Sequence, residues 1–349
     1  MTIRLGRRVV GVALVLTARA AAAQDSTHAA ADTSTSRDSI PAAHSAHAGH
    51  FHIGLTMHGY GISLGNASRV TGIRLNAQDA ELDRVNGINV TLWKPREPLS
   101  GTVNGIQVGL LPGSRDVNGI AVGLGGVVTE RRARWVTLGG LGAVSNGAIE
   151  GIGIGGLGLV ADGSIRGIGV GGLGAVSNGD LQGVGIGGLG TVANRDIWGI
   201  AVSGLGTVAN RDIVGLAVAG LGTVANGDMT GAGFAGLGLV ANGSITGVGI
   251  SGLAVVANQR ITGVGIGGLA VVANEQIRGI AVAGYSVDSH GMDGLAVSAY
   301  NRVRGVQRGL VIGLYNSAYE LHGVQIGVLN RAKNNKAPFK ILPLLNVHL

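Results

Sequence analysis

Ile165-Arg-Gly-Ile-Gly-Val-Gly-Gly-Leu-Gly-Ala-Val-Ser-Asn-Gly-Asp180 runs without a gap into Leu181-Gln-Gly-Val-Gly-Ile-Gly-Gly-Leu-Gly-Thr-Val-Ala-Asn-Arg-Asp196. The same grammar returns at Ile261-Thr-Gly-Val-Gly-Ile-Gly-Gly-Leu-Ala-Val-Val-Ala-Asn-Glu-Gln276, and eight blocks of 16 residues tile 149–276. Each block opens on an apolar residue (Ile149, Ile165, Leu181, Ile197, Ile213, Met229, Ile245, Ile261), with Gly two places on. Self-similarity at so short a period is the signature of a repeat array whose units pack only on their neighbours.

Inside a block, aliphatic residues alternate with Gly or Ala, as in Gly183-Val184-Gly185-Ile186-Gly187. That is the period of a strand with one bulky and one bare face. A Gly pair such as Gly187-Gly188 breaks the alternation, Leu189 and Val192 supply a second short apolar face, and Asn194 closes the block. Gly and Asn tolerate positive φ, so both breaks read as corners. The closing position holds Asn146, Asn178, Asn194, Asn210, Asn226, Asn242, Asn258 and Asn274, with Asp162 as the one substitution. Stacked amides there are expected to bond from rung to rung.

Outside the regular region the glycine mark recurs at looser spacing, at Gly61, Gly72, Gly87, Gly105 and Gly119, then at Gly279, Gly294, Gly309 and Gly323. The array therefore covers 51–337. In these outer units the bare positions carry Asn89, Gln107 and Gln325. Polar side chains there put the bare face toward solvent and the aliphatic residues inside.

Two architectures give this period. In a β-solenoid each block of about 16 residues is one coil, stacked in parallel on the next. In an outer-membrane β-barrel each block is one strand and a turn, paired antiparallel. An aromatic content of 3% and the lack of alternating short and long turns argue against the barrel, which carries aromatic girdles. For it stands the tail 338–349, where Phe339, Ile341, Leu345, Val347 and Leu349 alternate, interrupted by Pro343. The reading is all-β, a β-solenoid whose tail is a capping C-terminal strand, with the barrel as the alternative.

The amino terminus has the three parts of an export signal over 1–23: Arg4, Arg7 and Arg8, the apolar run from Val9 to Leu16, and Ala21-Ala22-Ala23. Removing it takes four arginines and lowers the formal net charge from +7 to +3. No basic stripe with interleaved aromatics remains, so nucleic acid is not an expected partner. The chain has no Cys, which excludes disulfides and thiolate metal sites. Residues 24–50 are rich in Ala, Ser, Thr, Asp and His and cannot repay their ordering by burial, so they read as a flexible leader. His44, His47, His50 and His52 are the only metal candidates, and with no rigid element to pre-form a site they read as linker residues.

Patterns that elsewhere mark catalysis are accounted for by the repeat. Gly151-x-Gly153-x-x-Gly156 matches a dinucleotide fingerprint, but it recurs at Gly167, Gly183 and Gly263, whereas a phosphate cradle needs one site and a following helix. Gly61-Ile-Ser63-Leu-Gly65 matches a nucleophile elbow, yet Ser63 falls at a bare outward position with no helix after it. Asp180, Asp196, Asp212 and Asp228 sit in corners and read as solvated turn residues, with Arg195 and Arg211 beside them where a calcium site would need converging oxygens. No catalytic residue and no cofactor is expected.

Gly323-Val-Gln-Ile-Gly-Val-Leu-Asn330, Gly309-Leu-Val-Ile-Gly-Leu-Tyr-Asn316 and the Pro338-Phe339…Leu342-Pro343 tail resemble the leptospiral-type bacterial surface-repeat proteins. The resemblance covers most of the mature chain and implies an exported, envelope-associated protein. It transfers no catalytic residue, and the central Gly-Gly-Leu-Gly blocks depart from that family's more polar pattern. Function is then expected to be that of a structural or interaction scaffold of the periplasm, outer membrane or cell surface. About 18 marks stacked ~4.8 Å apart would make a rod ~85 Å long. Its side-chain-poor Gly/Ala face would lie against a second copy or the envelope.

Overall fold

The computed structural model describes residues 52–57 and 60–348. The export signal, the leader and His44, His47 and His50 lie outside the described residues.

Each 16-residue block forms a long strand and a short strand separated by bends, such as Leu181–Gly187 and Gly190–Ala193. The long strand pairs in parallel with its counterpart one block away, Ile165 opposite Leu181 and Gly171 opposite Gly187. The short strand does the same, Gly174 opposite Gly190 and Ser177 opposite Ala193. A chain that returns to the same place every 16 residues, shifted by one strand, is a β-solenoid. A barrel would pair each strand antiparallel with the next, and that alternative is overturned. Among the described residues antiparallel pairing occurs only at the two ends. His52–Met57 runs against Tyr60–Gly65, and Ile341–His348 runs against the last rung from Gly323 to Arg331. The tail is thus the expected cap, and the amino-terminal end has one as well.

The glycine mark is a continuous stack. Gly61, Gly72, Gly87, Gly105 and Gly119 lead by strand register to Trp135 and then Gly151, and the row continues to Gly309 and Gly323. All of these residues have positive φ, including Trp135 at 81°. At Gly199 a Cβ would stand 2.2 Å from the carbonyl oxygen of Gly183 below it, so a glycine of the row resists a side chain twice over, by conformation and by space, and Trp135 is the one member that carries one.

The faces are the reverse of the expected assignment. Leu181, Gly185, Gly187, Thr191 and Ala193 point inward, whereas Val184 and Val192 are half-buried and Ile186 is exposed. Asn89, Gln107 and Gln325 are wholly buried, and so is Ser63. The physical reason is the narrowness of the interior. A Cβ on Gly185 would lie 2.4 Å from Leu181 Cδ1 and 3.1 Å from Thr191 Cγ2, so the opening residue and the residue across the coil already fill that space. Where those two are bulkiest, as with Met229 and Leu239, the residue between them is again glycine, Gly233, with no room for a methyl group. Opposite Thr207 and Thr223 there is space for Ala201 and Ala217, both fully buried. The core is one strand-to-strand gap wide, and the aliphatic row that looked like its filling is its outer wall.

The corners also differ from expectation in mechanism. Neither Gly188 nor any closing Asn has positive φ. Gly188 is required because a Cβ would approach the Gly172 carbonyl oxygen at 1.8 Å. The asparagines are there for their side chains. Asn194 Nδ2 donates to Asn178 Oδ1 at 2.7 Å, Asn178 to Asp162 at 2.9 Å and Asn210 to Asn194 at 3.0 Å, and the ladder runs on to Asn274.

Candidate interaction surface

Every rung places two outward residues after its mark, and register fixes them in two parallel rows. One row runs from Ile62 through Val184 to Leu310 and on to Val324; the other from Leu64 through Ile186 to Ile312 and on to Ile326. Apart from Ala232 and Phe234, every member is Val, Ile or Leu, and none is charged. Ile152, Ile168, Ile186 and Ile200 are 38–40% exposed. The caps continue both rows, because Ile53 and Leu55 stand opposite Leu64 and Ile62, and Leu345 and Val347 stand opposite Ile326 and Val324.

Three residues beyond the second row the chain turns at an apolar corner. Exposed leucines stack there from Leu141 to Leu269, one rung apart, and Tyr285 and Tyr300 extend the line. Their backbone bonds pass from rung to rung, Leu189 N donating to Leu173 O at 2.7 Å. Twenty strands at ~4.8 Å and a width of five or six residues make a patch roughly 95 Å by 15 Å, on the order of 1,400 Å². Monomeric proteins rarely expose an apolar patch beyond about 300–600 Å², and larger ones mark contact sites.

The opposite edge is polar at most rungs, with Trp198 and Val214 as exceptions. Beyond the glycine mark, Arg134, Glu150 and Arg166 follow one another in a mixed-sign row, with Glu150 bridging both arginines at 3.0 and 3.5 Å. At the Asn corner the recurring aspartates are tied into the backbone. Asp228 N donates to Asp212 Oδ1 at 2.7 Å, and Ser244 N to Asp228 Oδ1 at 2.7 Å. Arg211 pairs with Asp196 at 3.1 Å. These carboxylates cap the next rung and do not converge on a cation. Arg131 grips Asp116 through Nη2 at 2.7 Å and Nε at 3.1 Å, and that hydrogen bond, then the carboxylate charge, raises the guanidinium above its ordinary range.

The interior is apolar only in its middle. Toward the amino end Arg74 and Asp79 form a fully buried ion pair, with Asn89 accepting from Arg74 at 2.9 Å and Thr91 donating to Asp79 at 2.6 Å. Toward the carboxyl end Asn301, Asn316 and Asn330 form a buried amide ladder at 2.8 and 2.7 Å. Sequence reading missed the first network because it had placed Asn89 outside, and the second because Asn301, Asn316 and Asn330 occupy short-strand positions to which it had given no interior role.

Other candidates for a site lead nowhere comparable. His52 falls in the amino-terminal cap strand. Among the described residues no group of three or more His, Cys, Asp or Glu is close enough to share a metal. The glycine fingerprints lie in strands with no helix among the described residues, and Ser63 is sealed in the core. A groove of about 690 Å³ near the carboxyl end is lined by Arg260, Arg304, Arg308, His290, Glu275 and Glu320. Its arginines are already paired, Arg260 with Glu275 at 3.8 Å, Arg304 with Asp288 at 2.9 Å and Arg308 with Asp293 at 3.6 Å. Comparisons with protein-family models, curated proteins and solved structures find no match to this chain.

Proposed function

We propose that the protein is an exported, non-enzymatic scaffold of the cell envelope that docks through its Val/Ile flank. One observation carries the reading: an uncharged double row that persists from cap to cap while, apart from the glycine mark that the backbone requires, the other features of the rungs vary. Insertions change the corner lengths near both ends, the interior switches from Arg74 to Gly185 to Gln325, and the row beyond the mark takes Asn, Arg, Trp or Thr. A surface that is apolar at every rung without being needed to fill the core is explained by a partner that covers it.

The charged amino terminus, apolar run and Ala-rich end of 1–23 support export. Stabilisation without Cys is compatible with any redox compartment. The expected docking face is replaced in this reading: Gly185, Ala201 and Ala217 are buried and cannot meet a partner, so the aliphatic row takes that role.

The test is fractionation of the full chain, expressed with its leader in a Gram-negative host, beside an Ile186→Asp/Ile250→Asp variant. Wild type is expected outside the cytoplasm in an assembly larger than the monomer, and the variant outside the cytoplasm as a monomer. Cytoplasmic retention of wild type, or a variant that fractionates and assembles as wild type does, would overturn the proposal.

A further inference from the structure

Resting on the scaffold reading, we infer that the partner of the Val/Ile flank is a second copy of this chain, packed rod against rod with the two flanks face to face. Area is the first argument. A standard stable interface buries about 800 Å² per partner, and the flank offers on the order of 1,400 Å². The second is commensurability. The side chains of each row repeat at the strand spacing of ~4.8 Å, with a trough between the rows of Val184 and Ile186. A surface with the same repeat can seat its ridges in those troughs along the whole length, as facing sheets do at ~10 Å separation. A second copy has that repeat by construction of the fold.

The charge pattern argues in the same direction. No charged residue occurs in the double row, so closing it against itself buries no unpaired charge. The bordering row supplies no cationic belt for anionic lipid headgroups, because Arg134 and Arg166 are both engaged by Glu150. Aromatic residues on the flank are confined to Phe234 in the double row and to Tyr285 and Tyr300 toward one end of the leucine corner, where an interfacial membrane surface would be expected to carry them along its length.

The experiment uses the full mature chain. Sedimentation equilibrium from 0.1 to 100 µM is expected to report a dimer, and Ile186→Lys/Ile250→Lys is expected to raise its dissociation constant more than about 100-fold with an unchanged far-UV spectrum. Because the chain lacks Cys, single cysteines give a second readout that does not depend on tolerating lysine. Val202 lies on one of the two central rungs of the array, so Val202→Cys is expected to form an intermolecular disulfide whether the rods run parallel or antiparallel, and Asn194→Cys at the polar corner is not. A monomeric wild type, an assembly that survives the lysine pair, or equal cross-linking at both positions overturns the inference. Flotation with phosphatidylethanolamine/phosphatidylglycerol vesicles separates the two failures. A monomer that floats, and ceases to float with the lysine pair, retains the docking flank and overturns only the second copy. A monomer that does not float overturns both.

Discussion

Gln325 donates from Nε2 to Oε1 of Gln307 at 2.7 Å, with both side chains wholly inside the solenoid. The pair shows that the interior accepts polar groups near its carboxyl end, with amides bonded from one rung to the next. Gln307→Leu alone strands the buried amide of Gln325 and is expected to cost about 1–3 kcal/mol. Gln307→Leu/Gln325→Leu removes both partners and should recover part of that loss. Urea denaturation of the three proteins measures it, and a double variant weaker than the single would contradict the pairing.

The inverted faces make opposite demands on adjacent residues. Leu181 is buried between the sheets, and Leu181→Ala is expected to cost about 2–5 kcal/mol. Val184, three residues on, faces outward, and Val184→Lys in dilute solution should change stability by no more than about 0.5 kcal/mol. Equal losses in denaturation would return the aliphatic row to the core.

Trp135 is the test of the glycine stack. Gly215→Ala would force a Cβ to within 2.1 Å of the Gly199 carbonyl oxygen at φ +128°, so a loss above about 3 kcal/mol is expected. Trp135 is largely exposed and holds φ at 81°, so Trp135→Gly relieves strain and loses little burial. Set against the added freedom of the unfolded chain, a gain of about 0.5–1 kcal/mol is expected. Melting curves of the two variants should move in opposite directions.

At the polar corner, the carboxylates should matter more than the amides. Asn226→Ala breaks exposed bonds to Asn210 and Asn242 and is expected to cost under about 1 kcal/mol. Asp212→Ala deprives Asp228 N of a charged acceptor at 2.7 Å and is expected to cost about 1.5–3 kcal/mol. Faster hydrogen exchange at the Asp228 amide in the second variant alone is the diagnostic result.

Much of this was open to reading in the chain itself. The 16-residue period, the alternation of Val184, Gly185 and Ile186, the Asn194 corner and the capping tail follow from local spacing, and each appears where the spacing puts it. The mark at Trp135 was not readable, because a row defined by glycine gives no reason to look for an indole. The buried Arg74–Asp79 pair was missed for a different reason: it depends on a loop folding back over the first coils.

By itself the sequence determined the repeat and its length, and it favoured parallel stacking, while the antiparallel barrel was excluded only by the observed strand pairing. It also determined that one row would be bulky and its neighbour bare. Which row faces inward was decided only in three dimensions. Strand alternation is symmetric between the two sides, and the usual rule that bulky residues go inside holds only where the interior can contain them. Here the sheets close until Gly185 touches Leu181 and Thr191, and that separation is set by residues on different strands acting together. The consequence is the feature that matters for function, an aliphatic wall left on the outside.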